Sequence, residues 1–392
     1  MKKLLIPILI GLVAFKSIAQ DDIENFNPIT TGVPFILIGA DPRSGGMADI
    51  GVVTSVDAFS QQWNPAKYAF SLSKQGVGVT YTPYLNKLVN DIFLGNVTYF
   101  NRLNEASAVS ASFRYFSAGE ITLRQTPEEE GLVVKPNELL LDLAYSLRLS
   151  ERFSLAVAGR YIRSDLKFGF NNEDASAANS VAVDIAGYYQ SEEIPYDSFD
   201  GRWRLGFDFS NIGPKLKYSD GGSESNLPTN MALGGGFDFI LDEYNKVGVS
   251  LEVNKLLVPT RQNPDLNGDG EVTSEERAQA NLDYEKISFV SGIFESFSDA
   301  PGGFSEELKE FTWALGAEYW YQDVFAFRAG YFNESDMKGG RKFATVGAGF
   351  RYTAINIDIS YLFSTSKLAN SPLDGTLRFG LTFNFGDTYD EY

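Results

Sequence analysis

The chain has 392 residues, of which 44% are hydrophobic and 14% aromatic, with 31 Phe, 20 Tyr, 51 acidic against 33 basic residues, no histidine and no cysteine. A net charge of −18 excludes a nucleic-acid partner, and the missing cysteine excludes a disulfide frame or a thiol-linked lipid anchor. Without histidine the usual general base of membrane-barrel proteases and acyl hydrolases is absent, so neither catalytic residues nor enzymatic activity are expected.

Residues 1–19 read as a signal peptide. In "MKKLLIPILIGLVAFKSIAQ" two lysines precede an apolar run from Leu4 to Phe15, and small residues Ser17 and Ala19 set cleavage before Gln20. A membrane anchor is the other reading of this run, which is shorter than the ~20 residues a spanning helix needs. Cleavage removes Lys2, Lys3 and Lys16 and leaves 30 basic against 51 acidic residues, a net charge of −21.

Residues 20–74 form an N-terminal extension. The part up to Asn27 is acidic, whereas "VPFILIGADPRSGGMADIGVVTSVDAFSQQW" is too apolar to remain in water. Thr54 with Asp57 predicts a capping box and a short helix through Ser60, ending before Pro65. Gly39, Gly45, Gly46 and Gly51 permit tight bends and close contact with surrounding walls.

From Gln75 to Gly386 the period is two. In "ELLLDLAYSLRLS" Leu141, Leu143, Tyr145, Leu147 and Leu149 alternate with Asp142, Ala144, Ser146 and Arg148; "TLRFGLTFNFG" repeats the pattern. About 14 such segments are near the ~9–11 residues that cross a bilayer at a tilt. They start near Gln75, Asp91, Asn104, Glu138, Arg152, Asn179, Gly201, Pro228, Tyr244, Glu310, Val324, Arg341, Ile355 and Thr376. Tight turns near Leu103, Ser150, Asp242, Gln322 and Thr353 alternate with long polar loops, and "SEEIPYDSFD" is a longish connection where a turn is expected. A soluble sandwich has no reason to sort its loops by parity, and an outer row of aromatics would promote its aggregation.

The predicted class is therefore all-β: a transmembrane antiparallel β-barrel of about 14 strands in outer-membrane lipid, with long loops outside and short turns in the periplasm. Both termini are expected in the periplasm, residues 387–392 forming a tail. The segment from about Gly32 to Tyr68 is the candidate hatch, or plug, in the lumen. Tyr81, Tyr84, Tyr99, Trp203, Trp313, Tyr319 and Tyr321 are candidate interfacial anchors, though packing residues would look similar.

The run "RSGGMADIGVVTSVDAFSQQWNPAKYA" resembles the N-terminal hatch of the FadL-type outer-membrane superfamily, and "GADPRSGGMADIG" followed by "QQWNPAKYAF" resembles the PorV family of type IX secretion barrels. The resemblance covers essentially the whole mature chain. It implies an adaptor that recruits secreted cargo by its C-terminal signal domain, binds a large outer-membrane translocon barrel, and passes cargo to a surface attachment complex with a sortase-like protease. The superfamily also implies an alternative, transport of hydrophobic small molecules. By alternation Arg114, Arg148, Arg160, Arg202, Arg204, Arg328 and Arg378 share the interior with Asp142, Asp184, Asp208, Glu252, Glu318 and Asp358. Such a lumen is either crossed by ion pairs or simply water-filled, and offers little greasy tunnel to an acyl chain.

One loop carries a metal motif. "DLNGDGEVTSEE" fits the twelve-residue EF-hand loop, with Asp265, Asn267 and Asp269 at positions one, three and five, Gly270 at the turn, Glu271 donating its carbonyl, Thr273 at nine and Glu276 closing. These hard oxygens suit Ca2+, with an exiting helix but no entering one. A solvated Asp/Gly turn is the alternative. No other cofactor is expected.

Overall fold

A computed structural model of the chain describes residues 26–85, 89, 91–124, 130–166, 177–218, 223–366 and 373–389. The signal peptide, the start of the extension and the last three residues of the tail lie outside the described residues. Fourteen long strands dominate: β1 Ser73–Pro83, β2 Ile92–Arg102, β3 Ser107–Ala118, β4 Asn137–Arg148, β5 Phe153–Asp165, β6 Ala178–Gln190 and β7 Asp200–Ile212 form one half. The other half is β8 Asn230–Ile240, β9 Asn245–Leu256, β10 Thr312–Tyr321, β11 Phe325–Asn333, β12 Lys342–Tyr352, β13 Ile355–Ser364 and β14 Leu377–Thr388.

Each strand pairs antiparallel with its neighbours in sequence, and β14 returns to β1 with Val79 opposite Leu381, so the sheet closes into a barrel without a free edge. Alternation supplies both faces. On β4, Leu141, Leu143 and Tyr145 are exposed on the outer wall while Asp142, Ala144 and Ser146 are buried on the inner one. No helix among the described residues is long and apolar enough to cross a membrane; the strands do so.

The short connections take tight geometries. Gln322 and Asp323 both have left-handed backbone angles, the turn that suits the twist of a two-residue hairpin. "SEEIPYDSFD" is a hairpin extension: Ile194–Pro195 pairs with Asp200 and Gly201, and Tyr196 stacks on Phe199. At the other end, residues 119–136 carry a small hairpin of Ile121–Leu123 with Leu132–Val134, and residues 257–311 carry helices Ser274–Lys286, Phe289–Glu295 and Phe304–Glu307.

The two ends of the described chain lie at opposite ends of the barrel, which corrects the expectation that both share the turn side. Asn27 donates to carbonyls of Met337 and Arg261 in two long connections, and Gly32 to Asn226 in a third. The Tyr389 amide, just beyond β14, bonds Leu72 at the turn end. The physical reason is length: residues 32–70 suffice to run through the lumen. β14 also continues to Thr388, two residues past the predicted barrel boundary.

Candidate functional site: the occupied lumen

The apolar N-terminal segment lies against the inner wall along its whole course. At the long-loop end Val33, Phe35 and Ile36 pack with Leu94, Leu140, Ile162, Leu216 and Leu227, and the Phe35 ring stacks on Phe116 at 6.1 Å. Arg114 on β3 donates to the Ile36 carbonyl at 3.0 Å.

Midway, Asp41 caps a single helical turn, Pro42–Gly45. Its carboxylate accepts from the Arg43 amide at 2.8 Å, the Ser44 hydroxyl at 2.6 Å and the Trp63 indole at 3.2 Å. The cap aims Arg43 at the wall. Its guanidinium forks onto Glu318 of β10 at 2.9 and 2.7 Å and reaches Asp57 at 2.9 Å. Glu318 also accepts from Arg328 at 2.6 Å and from the Trp320 indole at 2.7 Å, so this buried carboxylate is saturated. Arg328 continues to Asp358 at 2.7 Å.

Main-chain amides of the segment find wall acceptors. Gly51 and Val52 both donate to Glu252 at 3.0 Å, and Ala48 donates to the Thr345 hydroxyl at 2.9 Å. The turn at Ala48 and Asp49 has φ of 60° and 64°, strained for residues with side chains, and Asp49 is held by Arg378. The wall here is glycine: a Cβ on Gly330 would lie 2.4 Å from the Met47 carbonyl carbon and 2.5 Å from the Ala48 nitrogen. The only signal of that surface in the sequence is glycine at inward positions of neighbouring strands.

At the turn end, the Asn-Pro-Ala tripeptide acts as a cap. Asn64 accepts from the Ala66 amide to start the 3₁₀ turn Pro65–Phe70, and its amide group donates to Val52 and Gly187 carbonyls at 3.0 and 2.9 Å. Lys67 is fully buried, its ammonium donating to the Gly51 carbonyl at 2.7 Å and the Thr54 hydroxyl at 3.0 Å. The predicted helix from Thr54 through Ser60 is therefore not formed. Thr54 serves Lys67, Asp57 serves Arg43 with one oxygen and the Phe59 amide with the other, and the observed turn is Ser60–Trp63.

Of the charged residues predicted inward, Arg160 bridges Asp142 and Asp184 at 2.6 and 2.8 Å, and Arg204 pairs with Asp238 at 2.6 Å. Asp208 is buried with one carboxylate oxygen that has no hydrogen-bond partner among the described residues. Arg148 lies 5.9 Å from the Phe70 ring, and half-buried Arg202 reaches Glu193 at the rim. Between the segment and the long-loop half of the wall is a cavity of about 730 Å³, lined by Phe35, Phe116, Arg114, Asp208, Phe332 and Arg378 among others. Tyr84 lines it too, edge-on to Phe116, which corrects its reading as an outer anchor: three residues from outward Tyr81, it has the opposite parity.

The EF-hand-like loop lies away from the lumen, half-buried at Asp265 and Glu276 and otherwise exposed at its predicted ligands. Asp265 accepts from the Gly268 and Gly270 amides at 2.7 and 3.0 Å, Asn267 from Asp269 at 2.8 Å, and Asp269 from Glu271 at 2.8 Å. Glu276 bonds the Asn267 amide at 3.3 Å and the Thr273 amide and hydroxyl at 2.9 and 2.8 Å, which closes the ring and caps helix Ser274–Lys286. Hydrogen bonds from Thr273 hold the Glu276 carboxyl below the usual range. The donor set, five side-chain oxygen ligands and one carbonyl around positive-φ Gly268 and Gly270, fits a hard cation.

A second carboxylate group, Asp299, Glu307 and Glu310, has oxygens within 4.8 Å of one another, but the Lys255 ammonium sits between Glu307 and Glu310 at 2.7 and 2.6 Å. Burial lifts the Asp299 carboxyl to about 6, with Glu310 and Glu307 adding to the rise.

A closed antiparallel barrel with an apolar, aromatic outer belt and a charged interior defines an outer-membrane β-barrel. Residues 20–263 match the family model described as Type IX secretion system protein PorV, and the chain belongs to that family, which with the fold puts it in the outer membrane. Among solved structures it is similar to a TodX deltaS2S3 mutant monoaromatic hydrocarbon channel, with TM-score 0.51 and 10% identity over 88% of this chain and 99% of that one, a likeness of fold. It is similar also to the CymD monoaromatic hydrocarbon channel, with TM-score 0.49 and 12% identity over 89% and 98%, and to a Pseudomonas aeruginosa FadL homologue, with TM-score 0.45 and 13% identity over 92% and 100%. No curated protein matches the sequence.

Proposed function

We propose that this barrel is a membrane-anchored adaptor of type IX secretion. It binds secreted cargo through C-terminal signal domains, engages a large outer-membrane translocon barrel, and passes cargo to a surface attachment complex with a sortase-like protease. The observation that carries this reading is the lumen. Arg43, Asp49, Gly51 and Val52 are tied to Glu318, Arg378 and Glu252 of the wall, so the segment Gly32–Tyr68 acts as a plug rather than a gate for solutes. A barrel filled by its own chain works through its rim and outer surface, and the family is one of secretion rather than catalysis.

In this orientation the long connections and Asn27 face outward and Thr388 faces the periplasm. The loop Asp265–Glu276 takes Ca2+ from the medium, which orders the connection around it; the full ligand spacing supports this. The cavity of about 730 Å³ favours a second reading, uptake of a hydrophobic small molecule. Purification from membranes in mild detergent separates them. A giant barrel partner with secreted cargo supports the adaptor, whereas bound lipid or fatty acid alone supports the transporter.

A further inference from the structure

The connection 257–311 carries an apolar surface that the lumen does not use, and Lys255 reveals how it sits. By parity Lys255 shares the outer face of β9 with Leu251, which is 48% exposed, yet Lys255 is 1% exposed. Its ammonium is held by Glu307 and Glu310, and the Phe311 and Phe297 rings lie 5.2 and 5.7 Å from it. A lysine on the outer wall is covered because the connection folds over the rim, where Glu310 and Lys338 also line the mouth of the lumenal cavity. Lys338 adds a second tether, to Glu306 at 2.6 Å and Glu310 at 2.9 Å, and Gly292 packs closely on Pro259.

This anchoring inverts the usual sidedness. Glu306, Glu307 and Glu310 are buried, so residues 304–310 present outward Phe304 and Leu308, one helical turn apart and 76% and 54% exposed, with Ser305 and Lys309 beside them. In helix Phe289–Glu295, Gly292 is buried and Val290 and Phe294 are exposed, again one turn apart, with Glu295 exposed at its end. A connection bathed in water does the reverse, burying apolar groups and exposing charge. Outward-facing Trp313 and Leu315 follow on β10 and are also exposed, so the collar continues the apolar belt of the barrel.

We propose that this collar, residues 289–308, rests in the lipid boundary of the bilayer, with Val290, Phe294, Phe304 and Leu308 in contact with acyl chains. Lipid is favoured over a protein groove because the exposed face extends a wall that the bilayer already covers. The proposal rests on the barrel's placement in a membrane and is independent of the adaptor role.

The chain has no cysteine, so single labels are unique. Val290→Cys, Phe294→Cys and Phe304→Cys each receive an environment-sensitive fluorophore and are folded into phosphatidylcholine vesicles. Leu251→Cys is the wall reference, and Ser274→Cys, at an exposed position of the loop helix, is the water reference. Heat-modifiable gel mobility verifies folding. Brominated acyl chains should quench the three collar labels at least half as strongly as Leu251→Cys. Collar quenching no greater than at Ser274→Cys, with Leu251→Cys quenched, overturns the proposal. Labels unquenched in vesicles but shielded in native membranes also overturn it, in favour of a protein occupant. An unquenched Leu251→Cys sinks it together with the membrane placement beneath it.

Discussion

Replacing Arg43 by Met keeps most of the side chain's volume and removes the charge that ties the lumenal segment to the wall. Glu318 then retains Arg328 and Trp320, while Asp57 loses its guanidinium partner. Breaking a buried ion pair costs about 3–5 kcal/mol, and the surviving Glu318 contacts set the expectation at the low end, about 3 kcal/mol. Converted to local opening, that is a hundredfold or greater acceleration of amide exchange over residues 41–57. Hydrogen exchange on the folded barrel in detergent reads it directly, since strands far from the pair serve as internal controls. Glu318→Gln should release the same residues, and the double variant should open them by less than the sum of the two. Exchange unchanged within threefold, or equal acceleration in every strand, would refute the claim that this pair seats the segment.

Gly330→Ala forces a Cβ onto the backbone at Met47 and Ala48 and should destabilise the turn by about 1–3 kcal/mol, whereas Gly95→Ala, with open space, should be neutral; protease resistance of residues 41–57 measures both. Calcium should protect residues 258–309 from limited proteolysis relative to chelator, and Glu276→Gln should abolish the difference; equal cleavage in both conditions favours the solvated turn. Because burial raises Asp299 to about 6 in the folded chain, its contribution to stability is complete below about 4 and is lost as pH rises through 6. Asp299→Asn should therefore flatten the pH dependence of collar proteolysis between pH 4 and 7 and stabilise the collar at pH 8, by on the order of 1 kcal/mol once its half exposure is allowed for.

Strand positions were legible because alternation is enforced by two solvents, lipid outside and charge-lined lumen inside; Leu143 and Asp142 differ in burial as their types require. The same rule, applied at Tyr84, would have turned that ring inward. Lumenal partners were legible as a set of charges but not as pairs, since Arg43 and Glu318 lie 275 residues apart and only closure of the sheet brings them together. The Thr54 helix failed for a tertiary reason: Thr54 is drawn to buried Lys67, and Asp57, which shares its oxygens between Arg43 and the Phe59 amide, leads into the later turn instead. The collar was not legible because Glu306 and Glu307 turn toward Lys338 and Lys255, partners 32 and 52 residues away in sequence that only the fold brings near.

The central claim, an adaptor for type IX secretion, is tested most directly by the secreted proteins of a deletion strain. In that strain, proteins with type IX C-terminal signal domains should accumulate in the periplasm or remain unprocessed, while uptake of fatty acids and aromatic compounds is normal. Wild-type secretion of those proteins, with loss of uptake of a hydrophobic nutrient, would contradict it and leave the transporter reading in its place.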